Sequence, residues 1–269
     1  LNLQPDDVVF DGTLGGGVHS RKVCELFGKR VKIIGVDRDS QAVQKAKDKF
    51  KDLDCDFSFQ TDSFRNIDKV LDNLNIKSVN GILLDLGLSS DKIEESVRGF
   101  SFKKDEPLIM TFSSESDEEG VTAKTIINEW SEETLADILF GYADERYARR
   151  IAKKIVERRE AKPIEKTSEL VEIVKSAVPI GYQKGRIHFA TKTFQAIRIA
   201  VNDEIEAIKE GLAKGYERLA PGRRMAVISF HSGEDRVVKN FFREKKMAGE
   251  GFVTAKKPIT ASKEEITEN

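Results

Sequence analysis

The stretch Val8-Val9-Phe10-Asp11-Gly12-Thr13-Leu14-Gly15-Gly16-Gly17-Val18-His19-Ser20 decides how this chain is read. Val8-Val9-Phe10 is a short β-branched and aromatic run, the pattern of a buried strand. Beyond the glycines, Val23, Leu26 and Phe27 recur at helical spacing, so a glycine-rich turn joins strand to helix. Consecutive glycines at 15, 16 and 17 remove every Cβ from that turn, and a ligand can approach bare backbone. Free N–H groups at the helix start favour an anionic group there by roughly 0.3–1 kcal/mol when exposed. Twenty residues past Gly17, Val31-Lys32-Ile33-Ile34-Gly35-Val36-Asp37 is a second strand ending in an acid. A carboxylate at that place accepts from both hydroxyls of a ribose, and hydrogen bonds to charged groups contribute about 1.5–3 kcal/mol each. The pairing predicts an adenosine-containing ligand.

The loop also narrows the ligand class. A dinucleotide fingerprint wants Gly-x-Gly-x-x-Gly, and the last position here is Ser20. A loop that opens on Asp11 and runs through Gly15 and Gly17 suits S-adenosylmethionine better, because that ligand has no pyrophosphate to cradle and carries an ammonium group that an acid can bind.

The alternation continues. Gln41 to Phe50 reads as an amphipathic helix, Asp56 to Gln60 as a strand, Ile67 to Leu74 as a helix, and Gly81-Ile82-Leu83-Leu84-Asp85-Leu86-Gly87 as a fourth strand ending in an acid. Four such units imply an α/β fold: a parallel sheet with helices on both faces and ligands at the carboxyl ends of the strands. Asp62 and Phe64 stand at one such end, where an acid meets an adenine amine and an aromatic covers the ring. Asp85, with Ser89 and Ser90 after it, stands at another.

From about Pro107 the alternation stops. Residues 113–120 are polar and acidic, and helical patterns follow at Ala123 to Trp130, Glu132 to Leu139, Asp144 to Lys162 and Ser168 to Ala177. A long helix is expected from Thr193, and Arg223 to Phe230 returns to strand. The reading is an all-helical lobe at 110–187 inserted into a sheet domain formed by 1–109 and 188–269.

Composition bounds the function. Lys and Arg number 45 against 46 Asp and Glu in 269 residues, so no global polycation holds nucleic acid and any such binding comes from local patches. The 34 % of charged residues suits a soluble cytoplasmic protein. No apolar run approaches the roughly 18 residues of a membrane span, and no signal peptide is visible. Cys24 and Cys55 lack metal-ligand spacing and are expected to be separate, reduced packing residues.

These segments together resemble the ribosomal small-subunit RNA cytosine-N4 methyltransferases, the MraW family. The resemblance covers nearly the whole chain and rests on Asp11-Gly12-Thr13 with His19-Ser20, Gly35-Val36-Asp37-Arg38-Asp39, and Leu84-Asp85-Leu86-Gly87 with Ser89-Ser90. It continues through Arg98-Gly99-Phe100-Ser101-Phe102, Glu145-Arg146, Thr193-Phe194-Gln195-Ala196, Ser229-Phe230-His231-Ser232 with Glu234-Asp235-Arg236, and Lys257-Pro258-Ile259-Thr260. It implies a Rossmann-like, seven-stranded class I methyltransferase sheet with a helical insertion, S-adenosylmethionine as cofactor, and a cytosine in the decoding region of 16S rRNA in the small ribosomal subunit as substrate. Carried over by position, cofactor contacts fall on Gly17, Val18, His19, Asp37, Phe64 and Asp85. Lys92, a cofactor-side position, stands where the family usually has Gln. Where the family has Pro-Leu-Asp-Met-Arg-Met-Asp, this chain has Pro107-Leu108-Ile109-Met110-Thr111-Phe112-Ser113, and Phe189 and Lys192 stand where proline and arginine are common. The chain begins just before the first strand, without the family's N-terminal helix, and stops before its usual last strand.

An exocyclic amine is a poor nucleophile because its lone pair is delocalised into the ring, so an acceptor for the amine N–H is expected. Asp85 is the first candidate, with Ser89 next. Amine methyltransferases often carry Asn/Asp-Pro-Pro-aromatic after this strand; here Asp85-Leu86-Gly87-Leu88 keeps only the acid. For the substrate, Asp144 to Lys162 holds eight Lys or Arg against four Asp or Glu, a local charge of +4. Arg149, Arg150, Lys153 and Lys154 fall outside its Tyr147, Ile151, Ile155 stripe. Lys192, Arg198, Arg223, Arg224, Arg236, Lys239 and Arg243 add charge expected nearer the cleft. Arg98, Phe100 and Phe102 lie on a loop where the rings can stack on an extruded base, and His188 and His231 are candidates for phosphate or base contact. Two other functions fit parts of the sequence: a non-catalytic ribosome-binding or assembly protein that keeps the fold, and a nicotinamide-dependent oxidoreductase. Monomer and homodimer both remain open.

Overall fold

The computed structural model describes residues 1–87, 97–112, 120–255 and 257–260. Its centre is a parallel sheet of five strands: β1 (Val8–Asp11), β2 (Lys32–Asp37), β3 (Asp56–Thr61), β4 (Val79–Asp85) and β5 (Leu219–Ile228), in the order β3-β2-β1-β4-β5. The order reverses between β1 and β4, the place where a doubly wound sheet opens a crevice at its carboxyl ends. The register is tight there, with Asp11 opposite both Gly35 and Leu83. The sheet thus has five strands among the described residues, against the seven implied by the resemblance.

β2 is apolar through its middle because it is covered on both sides. Val9 and Ile33 point to a face covered by α1 (Val18–Phe27) and α2 (Ser40–Phe50), with Val43, Ala46, Phe50 and Phe59 in one buried cluster. Phe10, Ile34 and Val36 point the other way, against α3 (Ile67–Asn73), α10 (Glu204–Arg218) and α11 (Ser232–Met247), where Ile67, Leu71, Ile208, Leu212 and Val238 complete a second cluster. Each fully buried Leu, Ile or Phe in these layers contributes about 1.5–3 kcal/mol.

Between β4 and β5 the chain is helical: α4 (Ala123–Glu129), α5 (Glu132–Ala143), α6 (Ala148–Ala161), α7 (Thr167–Ala177), a short α8 (Ile180–Gln183) and α9 (Thr191–Asn202). They share a third buried cluster that runs from Leu108 to Ile197, so α9 packs with the helices before it. Thr122 and Ser131 cap α4 and α5 through their side chains. Two boundaries differ from the sequence expectation for one reason. Asp144 (φ 50°) ends α5, and Asp203 (φ 50°) separates α9 from α10 where the sequence predicts one long helix; aspartate tolerates the left-handed turn that stops a helix.

The cysteine expectation is corrected. Cys24 on α1 and Cys55 before β3 cover the same sheet face with Cα atoms 5.7 Å apart, and they are joined as a disulfide. Sequence spacing gave no sign of this, because the neighbourhood is created by the β2–α2–β3 crossover. No helix among the described residues is long and apolar enough to cross a membrane.

Candidate active site

At the carboxyl ends of β1, β2 and β4 lies a cavity of about 370 Å³, within the range of small-molecule sites. Gly15, Gly16, Val18 and His19 of the β1–α1 turn form one wall; Asp37 and Arg38 end β2; Ser63 and Phe64 follow β3; Asp85, Leu86 and Gly87 end β4. Phe112, Glu204, Ile208, Phe230 and Glu234 close the far side.

The glycine loop is shaped by packing as well as by any ligand. Gly17 caps α1 at φ 77°, and a Cβ there would meet the Phe50 ring at 3.1 Å, so the third glycine faces α2 and its neighbours face the cavity. The Gly15 N–H donates to Asp37 Oδ2 at 2.9 Å, and the Asp39 N–H donates to Asp37 Oδ1 at 2.9 Å. Two backbone bonds therefore fix the Asp37 carboxylate on the cavity wall.

His19 Nε2 and Asp85 Oδ2 are 3.0 Å apart. That bond raises the imidazole above its ordinary range, against burial, which pulls it down, and the nearby Asp85 and Asp11 charges add to the rise. The Asp85 N–H donates to Thr13 Oγ1 at 2.7 Å, so strand end and glycine loop are locked together. The other carboxylate oxygen, Asp85 Oδ1, is buried and has no hydrogen-bond partner among the described residues. An orphaned carboxylate acceptor in a cavity wall costs on the order of 1–3 kcal/mol unless something donates to it.

Asp11 departs from its expected role. It is 2 % exposed and turned beneath the loop, accepting from Ser20 Oγ at 2.6 Å and the Thr13 N–H at 3.3 Å. Burial pushes its carboxyl above the ordinary range, though both hydrogen bonds oppose this. It props the loop from below and is not available to a ligand's ammonium group.

The remaining expected site residues divide. Phe64 lines the cavity. Asp62 accepts from the Ser63 N–H and Asn66 Nδ2, shaping the turn after β3 from outside the wall. Ser89 and Lys92 lie outside the described residues, as does Ser90. Arg98 donates to the Thr111 carbonyl at 3.1 Å, and Phe100 stacks on Phe112 with centroids 5.8 Å apart, so both shape the segment behind the cavity. His188 is sandwiched between Phe102 and Phe189, centroids 4.3 and 4.2 Å away, and burial lowers its basicity. Lys192 donates to the Asp144 carbonyl at 2.8 Å. Arg149 is exposed on α6 with Arg150, Lys153 and Lys154, away from the cavity lining. Arg223 does not approach the cleft: it grips the buried Asp7 with a two-pronged contact (3.0 and 2.6 Å) at the opposite end of the sheet.

Arg198 and His231 are turned into a buried polar network. Arg198 forks onto Glu204 at 2.8 and 2.9 Å. His231 caps α11, its Nδ1 accepting from the Glu234 N–H at 3.4 Å while Nε2 lies 3.2 Å from Glu234 Oε1. Burial alone would raise the Glu234 carboxyl, but bonds from His231 and the Phe230 N–H, with the charges of His231 and Arg198, hold it below the usual range. Glu204, His231 and Glu234 offer donor atoms within 4.8 Å of one another, yet the Arg198 fork already neutralises Glu204. Sequence reasoning missed Arg38, Phe112, Glu204, Phe230 and Glu234 as cavity residues, because each is brought there by a different element. The signal that was present was the Ser229-Phe230-His231-Ser232 string at the end of a strand.

Comparison with known proteins agrees with this geometry. A family model described as the MraW methylase family matches residues 1–269. The chain is 44 % identical over 265 residues to the ribosomal RNA small subunit methyltransferase H of Persephonella marina, covering 97 % of this chain and 87 % of that one. It is 42 % identical over 244 residues to the protein of the same name from Clostridium botulinum, and 44 % identical over 245 residues to that from Heliobacterium modesticaldum, each time covering 91 % of this chain and 77 % of the relative. Matched along its whole length, the chain belongs to the MraW methylase family.

Proposed function

We propose that the protein transfers a methyl group from S-adenosylmethionine to the exocyclic N4 of a cytosine in the decoding region of small-subunit rRNA, acting in the cytoplasm. The observation that carries the reading is the partly exposed carboxylate of Asp85, held by His19 in a wall of the cavity that also contains Gly15 and Asp37. The cofactor fits this chain's residues: Asp37 offers a fixed carboxylate to ribose hydroxyls, Phe64 offers a ring face to adenine, and the loop at Gly15, Gly16 and Val18 offers bare backbone. When bound, S-adenosylmethionine supplies a methyl group on a positively charged sulfur.

Asp85 then has two tasks. Its carboxylate accepts a hydrogen bond from the amine N–H, which localises the nitrogen lone pair for in-line attack. As the N–C bond forms and the methyl–sulfur bond breaks, its electron pair leaving with the sulfur, that nitrogen becomes positive and Asp85 is placed to take its proton, a general-base contribution of about 10²–10⁴ in rate. His19 holds Oδ2, so the carboxylate cannot rotate out of line. The names of the relatives support rRNA of the small subunit as substrate. We assign the helical insertion, read from the sequence as 110–187, as the substrate-recognition lobe within a methyltransferase domain of 1–109 and 188–269, with α9 packed against it. The exposed basic residues of α6, Arg149 to Lys154, support this through phosphate contacts. The test is calorimetric titration with S-adenosylmethionine and with NAD. Binding of the first but not the second, weakened at least tenfold by Asp37→Ala, is expected; the reverse preference would overturn the reading.

A further inference from the structure

Phe230 sits in the cavity wall yet is 69 % exposed. A phenylalanine in that state forgoes most of the roughly 1.5–3 kcal/mol its burial would contribute, so its place on the surface needs a reason. Its backbone is not loose. The buried Glu234, 1 % exposed, accepts from the Phe230 N–H at 2.8 Å and the His231 N–H at 3.3 Å, and His231 starts α11 in a capping box. The Leu86 N–H donates to the Ile228 carbonyl at 2.9 Å, tying the ends of β4 and β5 together just below. The backbone that carries the ring is firmly mounted.

Its position is set by Gly87, two residues beyond Asp85. Gly87 has φ 102°, and a Cβ there would meet Phe230 Cδ2 at 3.0 Å, so the ring lies against the bare strand end. Across the same cavity Val18, 73 % exposed, precedes the His19 that holds Asp85. Two exposed apolar side chains therefore line one cavity that also holds the partly exposed Asp85 carboxylate. An apolar surface beside a hydrogen-bond acceptor recognises a flat heterocycle carrying an exocyclic amine: the face meets the ring and the edge donates to Asp85.

We infer that Phe230 is the stacking platform for the target base and fixes its amine at Asp85. This rests on the function proposed above and adds the residue that positions the base. In the sequence, the segment after Asp85 has no aromatic; in space, the β5–α11 loop provides one. Glu234 is a positioning residue for that ring.

The test uses the full chain with Phe230→Ala, Phe230→Leu and Phe230→Trp, methyl transfer to small subunits lacking the modification, and calorimetric S-adenosylmethionine affinity. Base–aromatic stacking is worth about 1–3 kcal/mol by alanine substitution, which is about a 5- to 150-fold loss. Phe230→Ala is expected to lower kcat/KM for the subunit within that range with cofactor affinity and thermal midpoint kept. Phe230→Trp should stay within about threefold of the wild type, and Phe230→Leu should resemble alanine, because it restores bulk but not a π face. Three results overturn the inference alone: an alanine variant as active as an active wild type, a leucine variant as good as tryptophan, or loss of cofactor affinity in step with activity. A wild-type chain that binds cofactor but transfers nothing overturns the proposed function, and this inference with it.

Discussion

Asp85 is held by His19 at its side chain and by Thr13 at its backbone, and its charge and its pairing make separable predictions. Asp85→Asn keeps the shape and can still accept at one atom but cannot take a proton. It is expected to lower kcat by about 10²–10⁴ while changing cofactor affinity much less, as read by single-turnover transfer beside calorimetry. The His19 partner adds a pH dependence whose sign is fixed. Asp85 raises the His19 pKa above its unfolded value near 6.5, so the pair's contribution to stability is complete below about pH 6.5 and is lost as pH rises through the folded value. Urea midpoints of the wild type and His19→Gln should therefore differ most at low pH and converge on the alkaline side; a gap independent of pH would contradict the pairing. At this scale the sequence was legible where a residue's place follows from its strand end, as for Asp37 and Asp85. It was not legible for Asp11, whose backbone position suits a ligand but whose side chain is drawn under the loop by Ser20.

Among the elements, the end of α9 does most to connect the helices to the cavity. Asn202, 3 % exposed, donates to the Met110 and Arg198 carbonyls at 2.7 and 2.9 Å and accepts from the Phe112 N–H at 2.8 Å. Its own carbonyl accepts from Arg38 at 3.0 Å, and both Arg38 and Phe112 line the cavity. Asn202→Ala removes three side-chain hydrogen bonds to backbone, at about 0.5–1.5 kcal/mol each and not additively, with the Met110 carbonyl losing a buried donor, so a loss of about 2–4 kcal/mol in urea unfolding is expected. Weaker cofactor binding should accompany it; a change under about 0.5 kcal/mol would show the link to be dispensable. The strands and most helices were legible because a parallel sheet covered on both faces imposes long apolar runs and its covering helices impose 3.6-residue stripes. The break at Asp203 was not, because one left-handed residue interrupts an apolar stripe without changing its period. The Ile109 to Phe112 segment has a visible role: Met110 is buried in the helical cluster and Phe112 faces the cavity.

Across the whole molecule, the proposed function assigns the cofactor and the target base to the cavity and the RNA backbone to a separate surface. Asp144, at the end of α5, ties the helices to α11 by accepting from Ser232 Oγ at 3.1 Å and lying 3.7 Å from Arg236, and its carbonyl takes the Lys192 bond. The α6 face carrying Arg149 and Arg150 is exposed on the helical side. Arg149→Glu with Arg150→Glu should weaken binding to small-subunit RNA and flatten its salt dependence by about one in slope for each phosphate no longer neutralised, with cofactor affinity unchanged. Equal binding and an equal slope would remove α6 from the RNA surface. Composition could not have located this face, since the chain is near neutral as a whole and only the helical period sets these residues apart from the buried Ile151 and Ile155.

The most direct test of the central claim follows labelled methyl from S-adenosylmethionine into small ribosomal subunits lacking the modification, with digestion to nucleosides. The expected result is label in N4-methylcytidine, absent with Asp85→Ala. Label on any other nucleoside or atom, or undiminished N4-methylcytidine with Asp85→Ala, would contradict it.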